Sequence, residues 1–311
     1  MKKFILAIAA AFMAASMASA QDMAQATELY NNGATAISMK NWTEALDCFQ
    51  KALEMGKTIG ADADELVANC KNAIPGVSLE IAKDLIKDAK YDEAAAKLDE
   101  VAKIAEEYEN AEVAEKAKEL VPQMWMQKGV NALKIKDFAT AADGFAKSYA
   151  ADTTAGKTAL YLGQALGAQG KTDEAIEAFR HAAWNGEEAE AKEQVSNIYV
   201  RQANAALKGQ KFADAVKAAE KANSYVENAT AYLIAGQSSQ KLSKNADAIK
   251  YFEKYLEMKP DAKNAPAITF TVAALYQGAK NNAKALEYYK KVQDDPKFGA
   301  QAKQMIASLS K

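Results

Sequence analysis

The stretch Tyr161-Leu-Gly-Gln-Ala-Leu-Gly-Ala-Gln-Gly-Lys-Thr-Asp-Glu-Ala-Ile-Glu-Ala-Phe-Arg-His-Ala182 reads as a helix, a tight turn and a second helix. Gly163 is a small residue placed for a helix crossing, Gly170 stops the first helix, and Thr172 or Asp173 caps the second. Ala175 and Phe179 then turn inward against the first helix. A unit this short cannot bury its own apolar face, so it predicts neighbours of the same kind.

Those neighbours are present in both directions. From about Ala24 onward, one alanine anchors each of seven copies: Ala45, Ala94, Ala141, Ala175, Ala215, Ala248 and Ala285. Twelve residues before each anchor stands Gly33, Ala82, Gly129, Gly163, Ala203, Gly236 or Ala273, always glycine or alanine. Four residues after each stands Phe49, Leu98, Phe145, Phe179, Ala219, Phe252 or Tyr289. The physical reading is that two small residues let the helix backbones approach at their crossing. The bulky residue one turn later fills the gap where the helices diverge.

This pattern resembles the tetratricopeptide repeat family, whose motif carries the same small residue, turn alanine, aromatic and following alanine. The copy at 156–189 matches best, through Leu162, Gly163, Gly170, Ala175, Phe179 and Ala182; the copy at 229–262 extends the match to Pro260. The resemblance implies an all-α, right-handed superhelical solenoid of about seven helical hairpins, spanning residues 21–311 as a single domain. A short amphipathic stretch after Pro296, about Ala300 to Leu309, reads as its capping helix.

The departures from the family period of about 34 residues are informative. Successive anchors lie 49, 47, 34, 40, 33 and 37 residues apart. The two long intervals predict extended first helices, kinked or broken at Pro75 and Pro122. In the copy anchored on Ala215, Ala219 and Ala222 replace the usual bulk, which predicts thinner packing.

Residues 1–20 read as a cleavable signal peptide. Met1-Lys-Lys is followed by an apolar run from Phe4 to Ala15, and Ala18-Ser19-Ala20 ends in the small-x-small pattern cleaved before Gln21. The run is too short for a membrane anchor, and no cysteine follows it as in a lipoprotein. The short leader looks bacterial, so the expected location is the periplasm or beyond. Without Lys2 and Lys3 the chain holds 37 basic and 41 acidic residues, which is no electrostatic footprint for nucleic acid.

No reaction is legible. Three Gly-Lys-Thr triplets begin at Gly56, Gly156 and Gly170, but a phosphate-cradling loop needs a glycine five residues earlier, where Lys51, Ala151 and Ala165 stand. His181 is the only histidine and reads as a surface residue, without the companions a metal site or nucleophile–base pair needs. No catalytic residue, metal or cofactor is therefore expected, and the carboxylates read as solvated helix faces. Cys48 and Cys70 each lie eleven residues from Ile59, in the turn expected after the first repeat, which leaves open a disulfide in an oxidising compartment or two buried thiols acting as small hydrophobes.

What remains is surface. In the resembled family the first helices line a concave groove that holds peptides or partner helices. The positions three before each small residue are Tyr30, Leu79, Met126, Leu160, Val200, Leu233 and Phe270, which either line that groove or are buried between repeats. With their neighbours they nominate Met126, Tyr161, Gln164, Arg201, Asn204, Gln237 and Lys241 as groove residues for a protein or peptide. The alternative is a structural or self-assembling envelope component that uses the solenoid ends or the convex face.

Overall fold

The computed structural model describes the backbone of residues 2–310 and the side chains of residues 20–310. The expected leader, residues 1–20, thus lies almost wholly outside the described side chains. Among the described residues every regular element is helical, and no helix is long and apolar enough to cross a membrane. The chain divides into two compact units, residues up to 154 and residues from 155 onward.

The first unit holds three hairpins: α1 (Lys2–Ser38) with α2 (Trp42–Ile59), α3 (Asp64–Lys87) with α4 (Tyr91–Glu107), and α5 (Ala111–Lys134) with α6 (Phe138–Ala151). The second unit holds α7 (Gly156–Ala168) with α8 (Thr172–Ala182), α9 (Glu188–Lys208) with α10 (Phe212–Tyr225), α11 (Ala229–Lys241) with α12 (Asn245–Met258), and α13 (Ala265–Gly278) with α14 (Asn282–Lys291). The expected cap follows as α15 (Gly299–Leu309). Within each unit every helix packs against the next in sequence. All seven second helices begin three residues before their anchor alanine, and all seven anchors are fully buried.

One turn joins the two helices of every hairpin. Five residues before each anchor the backbone turns left-handed, at Lys40, Ala89, Lys136, Gly170, Gln210, Ser243 and Lys280, with φ between 56° and 78°. The next residue's N–H then donates back across the turn, as from Asn41 to the Ala36 carbonyl at 2.9 Å and from Lys171 to that of Leu166 at 3.0 Å. This closure satisfies the carbonyls left open at the end of the first helix. Only Gly170 is the residue type that takes this conformation freely; the other six bear side chains. Neither Thr172 nor Asp173 caps α8: the cap position is Lys171, and no side-chain bond closes it.

The crossing is tighter than the sequence suggests. A Cβ added to Gly33, Gly129, Gly163 or Gly236 would fall 2.9, 2.5, 2.7 or 2.6 Å from the ring of Phe49, Phe145, Phe179 or Phe252. The aromatic therefore lies on the glycine itself, rather than in a gap beyond it. Where the small residue is alanine the partner is Leu98, Ala219 or Tyr289, never phenylalanine. In the four glycine pairs the phenyl face takes the space of the missing methyl, while Ala273 and Tyr289 are buried in one cluster without a glycine.

The two long insertions form the first halves of α3 and α5. Pro75 and Pro122 lie inside these helices, which continue through both without a break. Each proline removes one backbone hydrogen bond, while burial of Ile74, Pro75 and Val77 on one side and Met124 and Trp125 on the other holds each helix in place. In the hairpin α9/α10 the core is made of small residues: Ala203, Ala215, Ala219, Ala222, Ala231 and Ala235 are all fully buried in one cluster.

Candidate binding surfaces

The first helices of the second unit lie side by side: α9 touches both α7 and α11. One residue beyond each small crossing residue they carry Gln164, Asn204 and Gln237. The crossing residue is locked against the second helix, so its successor is turned about 100° away from that packing. Asn204 is exposed, Gln164 and Gln237 half-buried, and among the described residues none of the three amides has a hydrogen-bond partner. Exposed Arg201 on α9 and Lys241 on α11 form no ion pair among the described residues. Tyr161, on α7, is half-buried.

Met126 belongs to α5 in the first unit, apart from these six. The apolar positions that precede the small residues are mostly structural. Leu79 and Leu160 are buried, while Tyr30, Val200, Leu233 and Phe270 pack against the apolar clusters of their units. Phe270, for example, meets the ring of Tyr289 edge-on at 5.2 Å.

The larger clefts lie elsewhere. One of about 690 Å³ runs between α9 and α10, lined by Tyr199, Gln202, Ala206, Asp214, Lys217 and Ala218 among others. A smaller one of about 220 Å³, chiefly apolar, lies where Phe179 of α8 and Ala183 just after it face Ala191 and Val195 of α9 and Tyr225 of α10. A third, about 670 Å³, opens among α12, α13 and α14. Its polar groups satisfy one another: the Tyr276 and Tyr288 hydroxyls donate to Glu253 Oε1 at 2.7 and 2.9 Å, and the Lys291 ammonium sits 4.1 Å from the Tyr288 ring centre. Burial, then the bond to Glu253, pushes Tyr276 up to about 12, so it remains a neutral donor.

The remaining candidates for chemistry are structural. Cys48 on α2 and Cys70 on α3 are buried free thiols. Burial pushes Cys70 up to about 11 and raises Cys48 as well, with help from Asp47 and Glu44, so both are protonated small apolar residues near neutrality. His181 is only half-exposed and meets the Trp184 ring edge-on at 5.5 Å, with Glu177 3.6 Å away. Gly56 is inside α2, where an added Cβ would strike Val67 at 2.8 Å; Gly156 opens α7, where one would lie 2.3 Å from the Asn185 carbonyl. Neither belongs to a phosphate loop. Among the described residues no three His, Cys, Asp or Glu side chains converge for a metal ion.

With this geometry in hand, comparison with known families is specific to two stretches. Tetratricopeptide repeat models match residues 161–183 and 200–265. The first stretch is the hairpin α7/α8, and the second runs from α9 to the start of α13. Among solved structures the chain is similar to the MamA protein, at 21% identity over 58% of this chain and 94% of that one, with a TM-score of 0.36. The TPR2AB domain of yeast Sti1, solved in complex with pHSP90, matches at 18% identity over 93% and 99% of the two chains, with a TM-score of 0.33. YrrB, described as a TPR protein with an unusual peptide-binding site, matches at 17% identity over 58% and 91%, with a TM-score of 0.33. These are likenesses of helical hairpins and say nothing of a shared ligand. No curated protein matches the chain.

Proposed function

We propose that this chain is a non-catalytic scaffold or adaptor of the bacterial cell envelope that binds a protein or peptide along the first helices of its second unit. The observation that carries this reading is the row of amides at Gln164, Asn204 and Gln237. They stand at one repeat position on neighbouring helices, and their donors and acceptors are unused among the described residues. An extended peptide presents backbone N–H and C=O groups that such amides can pair with. Arg201 and Lys241 add positive charge beside the row, and Tyr161 adds apolar area. Because the helices are already packed, binding costs little ordering of the receptor.

Arg201→Glu combined with Asn204→Ala tests the surface. Both positions are exposed, so helicity and melting temperature are expected to hold, while capture of the partner from envelope extracts by the affinity-tagged chain falls. Undiminished capture would place binding on another face. The export reading has its own test: the mass of the protein from its native cell is expected to begin at Gln21, and a chain retaining residues 1–20 would overturn it.

A further inference from the structure

Among the described residues the two most exposed large apolar side chains are Met39 and Ile135, at 74% and 77%. Both stand at one place in the repeat, six residues before an anchor alanine, on the turn that joins the two helices of a hairpin. The two turns read alike, as Met39-Lys-Asn-Trp42 and Ile135-Lys-Asp-Phe138. A single apolar residue on a surface needs no explanation, but two at the same protruding position do. The hairpin between them carries Asp88 there, so the turn itself does not demand an apolar side chain.

The three turns of the first unit emerge at one end of it. Each hairpin reverses the chain and α3 touches both α1 and α5, so the three first helices run the same way and finish side by side. At about 10 Å between neighbouring axes, the tips of the outer two stand roughly 20 Å apart. Around them lie Lys40, Lys87, Lys90, Lys134 and Lys136, all exposed and none with an ion pair among the described residues. Along the helix bodies of the same unit, by contrast, Lys51, Lys83, Lys97, Lys103 and Lys116 each meet a carboxylate. Most nearby carboxylates are accounted for by the helices. Asp137 caps α6, accepting from the Thr140 N–H at 3.0 Å, and Glu44, Asp92 and Glu93 stand in the first turns of α2 and α4, where the helix dipole favours negative charge. The dipole likewise accounts for Lys87 and Lys134, each the last residue of its helix. It does not account for Lys90, which fills the cap position of α4, where a cation is disfavoured. Nor does it explain Lys40 and Lys136, which take the strained left-handed conformation at φ 56° and 60°, each directly after an exposed apolar residue.

Apolar tips that project from separate turns form no groove for a peptide or a docked helix. They suit a flat partner that is anionic at its surface and apolar just beneath. We propose that this end of the first unit docks on an anionic phospholipid bilayer, with Met39 and Ile135 entering the interface and the five lysines reaching headgroup phosphates on their long stems. An acidic protein would satisfy the lysines but leave the two exposed apolar tips without a role. A bilayer uses both, and its laterally mobile headgroups gather beneath lysines at any spacing. Glu44, Asp92 and Glu93 lie farther along the second helices than the tips, and their shorter side chains stay on the water side. The surface is independent of the amide row, which belongs to the second unit. A chain with both surfaces holds its partner at a membrane.

The test is co-sedimentation of the protein, purified from its own cells, with sucrose-loaded vesicles of phosphatidylcholine, either alone or with about 30 mol% phosphatidylglycerol. Binding to the anionic vesicles alone is expected, and it should weaken as salt is added. Met39→Ser combined with Ile135→Ser should weaken it about tenfold or more. Lys40→Glu combined with Lys136→Glu should do the same, at about fivefold or more for each lysine. Lys217→Glu with Lys221→Glu makes an equal change of net charge away from the turns and should leave binding within about twofold. Circular dichroism checks that each variant is folded. The proposal is overturned by no binding to the anionic vesicles, by equal binding to the neutral ones, or by a control pair that weakens binding as much as the turn pair. Binding that polyglutamate abolishes and that ignores the serine substitutions would also overturn it, by assigning this end to an acidic protein.

Discussion

Hairpins α7/α8 and α9/α10 are neighbours in one unit, and they solve the same crossing with opposite parts. In the first, Gly163 gives up its side chain so that the Phe179 ring can lie on the backbone. In the second, Ala203 faces Ala219, and a whole cluster of alanines draws the helices together. The comparison teaches that the repeat fixes where the two helices cross, while the crossing itself is filled either by a ring laid on a glycine or by alanines alone. The alanine pair borders a cleft of about 690 Å³ between α9 and α10, whereas the phenylalanine hairpin spends its bulk internally.

The largest way to break the comparison is Phe179→Ala, expected to cost about 3–5 kcal/mol in chemical denaturation through loss of a buried ring and the cavity it leaves. The mirror change, Ala219→Phe, forces a ring against the Ala203 methyl and should cost about 1–3 kcal/mol. Adding Ala203→Gly should recover part of that loss, and no recovery would mean that the crossing does not balance volume. A sharper form is the cycle of Gly163→Ala with Phe179→Leu, which recreates the Ala82/Leu98 pairing. The double variant should be more stable than the sum of the singles by about 1 kcal/mol. Smallest are the turns. Gln210→Gly should stabilise α9/α10 by about 1 kcal/mol, because the left-handed conformation strains any residue with a Cβ, and Gly170→Ala should destabilise α7/α8 by a similar amount.

A pH experiment separates the two hairpins further. α10 is tied to a later second helix by a tyrosine, through the bond from Tyr251 of α12 to Glu220. Burial, and then that carboxylate, raises the Tyr251 hydroxyl well above its ordinary value of 10.0. The folded state therefore holds the proton more tightly than the unfolded chain. Its contribution to stability is full below pH 10 and is lost as the pH rises beyond that value. Thermal melts above pH 10 should fall less steeply in Tyr251→Phe than in the parent chain; parallel slopes would show that this bond does not tie the repeats.

Much of this was legible in the residues. The seven alanine anchors, the start of each second helix and the capping helix follow from spacing, because a repeat that buries one face must reuse the same small positions. The turn was legible only once, at Gly170. Lys40, Ala89, Lys136, Gln210, Ser243 and Lys280 adopt the same conformation with no composition to announce it, since the carbonyls closing the turn outweigh the strain of one residue. Of the seven nominated groove residues, the structure places six on adjacent helices of one unit and Met126 on the other unit. The cleft between α9 and α10 had no signal in a helix-by-helix reading, because its residues are ordinary on each helix and only packing brings them together.

The sequence by itself determined the repeated helical hairpin and its register, because these depend on residues close in the chain and on their period. Only the tertiary structure decided which small residue meets which ring, that α3 and α5 run unbroken through their prolines, and which faces of α9 stay open. Those outcomes depend on how separate helices share one volume, and no single helix carries that information.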